Sequence, residues 1–253
     1  MDNLQTLVEK KWTGRAESYC EAINQELACF KRQAWQNEIR GQAPPIHNRL
    51  INVLDVGTGP GFFAIIMAEM GWRVHAVDCT AEMIRHAQSN ADFHGARAEF
   101  SVMDSHKLDF ADNSFDLLVS RNVTWSLYNP EEAYREWHRV LRPGGHLLIF
   151  DSNWYHHQFD EEAKAKKEAA ELEAETRFGV RPYVEPDPEL AGVIYSTLPM
   201  GRHPRPEWDA QFLPKLGFKG IVVDGDITSR VWDEVEKTIN RATPMFMIRA
   251  VKA

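Results

Sequence analysis

The chain has 253 residues, 43% of them hydrophobic and 26% charged, with 15 Gly and 13 Pro. This is the composition of a folded globular protein, which excludes collagenous, coiled-coil and disordered classes; the length allows one large domain or a domain with appendages. The 29 Lys and Arg stand against 37 Asp and Glu, a net charge of −8 that no basic block offsets, so a nucleic-acid partner is not expected.

Cys20, Cys29 and Cys79 are odd in number and lack CxxC spacing, which points to neither a disulfide framework nor a metal cluster. The longest apolar run, Phe62 to Ala68, is far short of the ~18 residues of a membrane span. The start MDNLQTLVEKKW has no signal-peptide apolar core, and a cytoplasmic location without a membrane span is expected.

Residues 1–45 read as helical, closed by Pro44 and Pro45, with Trp12, Arg15 and Tyr19 on one face. That face could dock on a sheet or close over a ligand. From Leu50 onward, apolar runs alternate with helical patterns. Strands are predicted at 51–56, 73–78, 98–104, 115–120 and 145–151. Thr80 should cap one helix that ends at Gly95; Asn129, Pro130 and Glu132 form a capping box for another that reaches Leu141. Residues 154–206 interrupt the rhythm as an inserted cap: a solvated Ala/Glu/Lys helix (160–177), then Pro-rich RPYVEPDPEL and LPMGRHPRP. Residues 207–253 resume it, with QFLPKLGF as a helix ending at Gly217 and KGIVVDGDI and MFMIRAVK as two mutually antiparallel strands. The predicted class is α/β, a doubly wound, mostly parallel, seven-stranded sheet over 46–153 and 207–253, with a helical N-terminal segment and the cap. Ligands of such sheets bind beyond the carboxyl ends of the strands.

The sharpest motif is Val53-Leu54-Asp55-Val56-Gly57-Thr58-Gly59-Pro60-Gly61, an apolar strand ending in an acid and a glycine turn that opens FFAIIMAEM. Glycine lets backbone approach a ligand and take torsions that other residues resist. Taken alone, such a turn is also an ordinary strand-to-helix connection. Asp78, at the end of the second strand, lies where an acid can accept from both hydroxyls of a ribose. A dinucleotide site would show G-x-G-x-x-G; here the spacing is G-x-G-x-G, and Asp55 would repel a pyrophosphate while suiting an ammonium and a sulfonium.

These residues resemble motif I of the class I, Rossmann-like methyltransferases that use S-adenosylmethionine. VHAVDCTAEMI, MDSHKLDFADNSFDLLVS and EEAYREWHRVLRPGGHLLIFD continue the resemblance over about 50–151, closest to the small-molecule branch that includes quinone-biosynthesis methyltransferases. The resemblance implies that Gly57 and Gly59 line the methionine moiety, Asp55 faces its ammonium, and Asp78 holds the ribose. It also implies that Cys79 and Met83 pack on the adenine, Asp104 with the Ser105 backbone accepts from the adenine amino group, and Arg121 offers its carbonyl to the ammonium. Plain core packing remains an alternative for Cys79 and Met83, as does a turn-forming role for Asp104. Tyr19 would close over the cofactor.

Aromatics cluster where an acceptor would lie, with Trp125 and Tyr128 after the fourth strand and Trp154 and Tyr155 after the fifth. They could equally fill the interface between sheet and cap. His156 and His157 are candidate general bases, although neighbours in a loop cannot both face one pocket, and solvent-facing histidines are as compatible with the pattern. The expected activity is methyl transfer to O, N or S of a small aromatic or amphipathic molecule; the alternative is a non-catalytic subunit that senses the cofactor or binds a partner. Residues 1–45 and 154–206 are expected to act as a mobile lid.

Overall fold

The computed structural model describes residues 4–181 and 183–253. The N-terminal segment forms two helices, α1 (Leu4–Leu27) and α2 (Lys31–Gln42). An alternating series follows: β1 (Asn52–Val56), α3 (Phe62–Glu69), β2 (Arg73–Asp78), α4 (Ala81–His94), β3 (Ala98–Val102), β4 (Phe115–Arg121), α5 (Pro130–Val140) and β5 (Leu141–Asp151). The inserted region carries α6 (Glu161–Phe178) and α7 (Pro188–Thr197). The chain then returns through α8 (Glu207–Phe212), β6 (Phe218–Asp224), α9 (Thr228–Val231), α10 (Glu234–Ile239) and β7 (Phe246–Lys252).

The seven strands form one sheet in the order β3-β2-β1-β4-β5-β7-β6. Its pairings are parallel except those that β7 makes with β5 and β6. The two last strands are thus antiparallel to each other, as their sequences predict. Strands β1 and β4 are buried almost throughout, because helices cover both faces of a parallel sheet and every side chain must be apolar or satisfied. One core lies under α1, α2 and α3 around Trp35, Phe63 and Phe150; the other lies under α5 around Tyr134 and Trp137.

The helix ends follow their predicted chemistry in most places. Thr80 Oγ accepts from Met83 N at 3.4 Å, and Gly95 ends α4 in the left-handed region. At α5 only half of the capping box forms. Asn129 Oδ1 accepts from Glu132 N, but the Asn129 backbone N–H donates to His106 Nε2, so Glu132 turns to the Asn129 amide instead. Several strand bounds also differ, the sixth ending at Asp224 rather than Ile227. The third strand stops at Val102 because Asp104 folds its carboxylate back onto the His106 N–H and ends the extension. The fifth begins at Leu141 because Pro143, Gly144 and Gly145 bulge out, the register with β4 jumping from Phe115–Leu141 to Leu117–His146. A Cβ on Gly145 would meet Arg142 O at 2.8 Å, so the bulge needs a glycine there.

The region expected to be a Pro-rich cap contains α7, whose signal stands in the sequence: Asp187 caps Leu190 N, and Pro188 occupies the first helical position. Its Ala191, Ile194 and Tyr195 pack with Val8 of α1 and with Trp125 in a cluster separate from the sheet cores. Helix α6 is mostly exposed, with Ala170 and Ala174 on its buried strip.

Candidate active site

Strand β1 lies at the centre of the parallel pairings, between β2 and β4, and its carboxyl end opens into the glycine turn. Gly57 N and Thr58 N both donate to Val77 O, at 2.8 and 2.9 Å, which binds the turn to the end of β2. Gly57, at φ 72°, stands so close to Val123 that a Cβ would lie 2.2 Å from its Cγ2; Gly59, at φ 52°, lies under the Tyr19 ring. Asp78 Oδ2 accepts from Gly59 N and Oδ1 from Thr80 N, each at 3.0 Å. The acid at the end of the second strand therefore orders the turn as well as facing the space beside it.

That space is a cleft of about 680 Å³, its open mouth included. Gly57, Gly59, Asp78, Cys79, Met83, Ser105, Arg121 and Tyr19 line it together. Asp55 stands just beneath, 1% exposed, with Oδ2 buried and unbonded; the neighbouring Thr58 hydroxyl is buried and unbonded as well. Burial pushes the Asp55 carboxyl up to about 7, against the pull of Thr58 and of the Arg121 guanidinium. Burial also raises Asp78 and the Cys79 thiol, so Cys79 is a packing group and not a thiolate. The Arg121 guanidinium is held between α1 and α3. Both of its terminal nitrogens donate to Glu26 Oε2 of α1 at 2.9 Å, and it stacks over Phe62 and Phe63.

The structure redistributes the roles expected of the acids and histidines. Asp104 is committed: Oδ1 accepts from His106 N and Nδ1, at 2.9 and 2.6 Å, and Oδ2 accepts from the Tyr128 hydroxyl at 2.8 Å. Burial would raise its carboxyl, but those hydrogen bonds prevail and hold it below the ordinary carboxylate range. Asp104 makes the turn that the sequence also allowed, and Ser105 and His106 are what reach the cleft. Tyr128 supports that turn, with its ring stacked on His106 at a centroid distance of 3.7 Å; it does not line the cleft. His156 and His157 are not on the cleft either. They sit in a short 3-10 turn after β5, where His156 Nδ1 faces Gly201 O at 3.3 Å, while burial lowers His157 below the usual histidine range. His106 is the histidine on the cleft. Its Nδ1–H serves Asp104 and its Nε2 accepts from Asn129 N, so it is a fixed wall and not a free base.

A second, tighter pocket lies beyond Trp125, about 310 Å³ with its open mouth included. Trp154, Tyr155 and His156 line it together with Tyr195, Leu198 and Met200 of the insertion. Trp125 is the partition. Its indole donates to Asn122 O of the first cleft, its ring lies 6.3 Å from Trp12 of that cleft, and its other side lies 4.7 Å from Tyr155. At the floor, Arg205, 3% exposed, donates to Asp151 at 3.1 Å, to Asp209 at 2.8 Å and to the Thr124 hydroxyl at 2.6 Å. Asp151 also accepts from Trp125 N and from the Trp154 indole. This cluster fixes the loops after β4 and β5 to the chain around 205–209, across the expected boundary at 206. Sequence reading missed it because its members are far apart in the chain.

Residues 54–149 match a family model described as a methyltransferase domain. Over these residues the chain is similar to methyltransferase domains. An arsenite methyltransferase of Aquipseudomonas alcaligenes is 34% identical over 110 residues, 39% of this chain and 32% of the relative. The phosphoethanolamine N-methyltransferase 3 of Arabidopsis thaliana is 35% identical over 100 residues, 39% of this chain and 20% of the relative. The alignments thus span about half or less of these curated relatives, 52% in the case of an uncharacterised methyltransferase of Mycobacteroides abscessus. Two solved structures share the fold of the methyltransferase domain and its surroundings. The phosphoethanolamine N-methyltransferase 2 of Haemonchus contortus, solved with phosphomonomethylethanolamine and S-adenosylhomocysteine, has a TM-score of 0.58 at 18% identity, covering 87% of this chain and 52% of that one. A methyltransferase of Methanosarcina mazei has a TM-score of 0.56 at 21% identity, covering 85% and 96%. Among the described residues no helix is long and apolar enough to cross a membrane, and no group of three His, Cys, Asp or Glu is placed to hold a metal ion.

Proposed function

We propose that the protein transfers a methyl group from S-adenosylmethionine to an O, N or S atom of a small aromatic or amphipathic molecule. The observation that carries this reading is Asp55 Oδ2, a buried carboxylate oxygen without a hydrogen-bond partner, beside a turn whose Gly57 and Gly59 line the cleft. A buried unpaired carboxylate is costly unless a cation completes it, and an amino-acid ammonium is such a cation. Phosphoethanolamine and arsenite, the substrates in the relatives' names, are small molecules, consistent with this acceptor class.

When bound, S-adenosylmethionine supplies a methyl group on a positively charged sulfur. The chain's own task is positioning and exclusion of water, which can lower such a barrier by roughly 7–11 kcal/mol. Asp78 would hold the ribose through the Oδ2 lone pair that Gly59 N leaves free, Oδ1 already accepting from both Thr80 N and the Thr80 hydroxyl, while Asp55, directly or through water, and the Arg121 carbonyl would face the ammonium. Met83 and Cys79 would sandwich the adenine against Met103, with the Ser105 and His106 backbone at its edge in place of the Asp104 carboxylate. Tyr19 would close over the turn from α1, and the α1 and 154–206 segments would form the lid.

Isothermal titration with S-adenosylmethionine and with NAD tests the reading. Binding of the first and not the second is expected; NAD binding alone, or neither, would overturn it.

A further inference from the structure

The amino ends of the strands, opposite the glycine turn, gather positive charge in a chain whose net charge is −8. Strand β2 opens with Arg73, paired with Asn52 of β1; on the other side of β1 come Asp116 of β4 and then Arg142 of β5. Arg49, Leu50, Asn52, Arg73 and Arg142 surround an open hollow of about 400 Å³ there, and among the described residues no carboxylate lines it. The acid beneath it, Asp116, is 3% exposed and fully engaged. Its Oδ1 accepts from Arg49 Nη2 at 2.6 Å and from Arg142 Nη1 at 2.8 Å, and its Oδ2 accepts from Arg49 Nη1 at 2.5 Å and from Asn52 N at 2.9 Å. Burial would raise this carboxyl, but the hydrogen bonds from Arg49, Asn52 N and Arg142 prevail and hold it at about 2, so it stays ionised.

Asp116 thus fixes two guanidinium groups side by side and cancels one of their charges. That tie accounts for Arg49 and Arg142, which join the start of β4 to its neighbours. It does not account for Arg73, whose side chain has no hydrogen-bond or ion-pair partner among the described residues, nor for Leu50, an apolar residue left 57% exposed on the wall. Three guanidinium charges against one carboxylate leave the hollow at +2. Planar guanidinium forks fit the oxygens of a phosphoryl group, and two uncancelled charges match the dianion of a phosphate monoester better than the single charge of a carboxylate or a sulfate ester. The hollow also exceeds the size of a bare phosphate, and Leu50 offers its spare side an apolar surface.

We propose that this hollow is a binding site for a small organic phosphate monoester, its phosphoryl group between Arg73 and the Arg49–Arg142 pair and its organic part against Leu50. The site is separate from the glycine-lined cleft: no described residue lines both, and β1 and β4 run from one to the other, with Asn52 and Asp116 near one end and Val56 and Arg121 at the other. It therefore stands independently of the methyl-transfer reading.

The test titrates the complete chain with phenyl phosphate and follows the phosphorus resonance, with and without an excess of S-adenosylhomocysteine. Saturable binding is expected, unchanged by S-adenosylhomocysteine and weakened by salt. Inorganic phosphate, which has no organic part, and phenyl sulfate, a monoanion, should each bind roughly tenfold less tightly. Arg73→Gln removes a guanidinium without a partner in the free protein, so the urea midpoint should not move while phenyl phosphate affinity falls roughly 10–100-fold. Leu50→Ser should bring phenyl phosphate down to the affinity of inorganic phosphate and leave the latter unchanged. Phenyl phosphate that does not saturate, or that Arg73→Gln binds as well as wild type, would overturn the site, as would displacement by S-adenosylhomocysteine, which would place the probe in the cleft. Phenyl sulfate binding as tightly as phenyl phosphate would overturn the assignment to a dianion. An RNA oligonucleotide that binds more tightly than phenyl phosphate, and loses that binding in Arg73→Gln, would overturn the small-molecule class in favour of a nucleic-acid surface.

Discussion

The glycine turn and the second cavity are built in opposite ways. The turn is made by residues 55–61 and closed by Val77 and Asp78 on the adjacent strand, so its geometry follows from one strand pairing and two backbone torsions. The second cavity is closed by Lys11 on Glu185 and by Arg205 on Asp151, contacts between segments 174 and 54 residues apart. Local sites tolerate change in the remote chain, whereas a site assembled by buried charges stands or falls with every partner.

The largest expected effect breaks the remote assembly. Arg205→Leu leaves Asp151 and Asp209 buried, both carboxylates without their cation, and should cost about 3–5 kcal/mol of stability, read as a fall in urea midpoint. An unchanged midpoint would show that the cluster does not hold the cavity together.

At the turn, Asp78→Ala removes the carboxylate that accepts from two backbone N–H groups together with the proposed ribose contact, and S-adenosylmethionine affinity should fall by about 2–4 kcal/mol by calorimetry. Asp78→Asn sharpens this: it keeps one oxygen to accept, so a smaller loss is expected, and equal loss in both would assign the effect to charge. Gly57→Ala places a methyl against Val123 at a torsion alanine resists; a stability loss of about 1–3 kcal/mol is expected, together with weaker cofactor binding.

The pH dependence is smaller and specific to Asp55. With its carboxyl raised to about 7 from an ordinary 3.8, the folded chain holds a proton the unfolded chain has lost, so this group makes stability fall as pH rises across that window. A cationic ligand needs the ionised form. Affinity for S-adenosylmethionine should therefore grow as pH rises towards about 7 and then level off, with proton release on binding below that pH, and Asp55→Asn should abolish both. A flat profile in the wild type would remove Asp55 from the ammonium site. The subtlest effect concerns the lid: hydrogen exchange in α1 and 154–206 should exceed that of the strands and slow on adding S-adenosylhomocysteine. Equal protection without ligand would mean a rigid cap.

Much of the glycine-lined cleft was legible because short-range pattern controls it. The alternation of apolar runs and helices set the parallel core, and the spacing from Gly57 to Asp78 placed an acid at the end of the neighbouring strand. Trp12 and Tyr19, three and four residues either side of Arg15, share a face because helical periodicity requires it, and both reach the cleft. What failed was the assignment of individual polar atoms. Asp104 and Tyr128 are 24 residues apart, and nothing local says that their side chains satisfy each other and leave the cleft to His106. His156 and His157 looked like bases by residue type alone, yet the loop after β5 turns them away from the glycine-lined cleft.

By itself the sequence determined where the strands lie to within a few residues, where the chain must turn with glycine, and that Asp78 ends the second strand, because those depend on torsion and on near neighbours. Only the tertiary structure decided how Trp125 divides two cavities, how Tyr155, Tyr195, Glu185 and Lys11 join into one line, and how Arg205 comes to lie among Asp151, Asp209 and Thr124. Hydrogen-bond partners of buried polar groups are chosen by whatever packing brings within about 3 Å, and that choice is made across the whole chain at once.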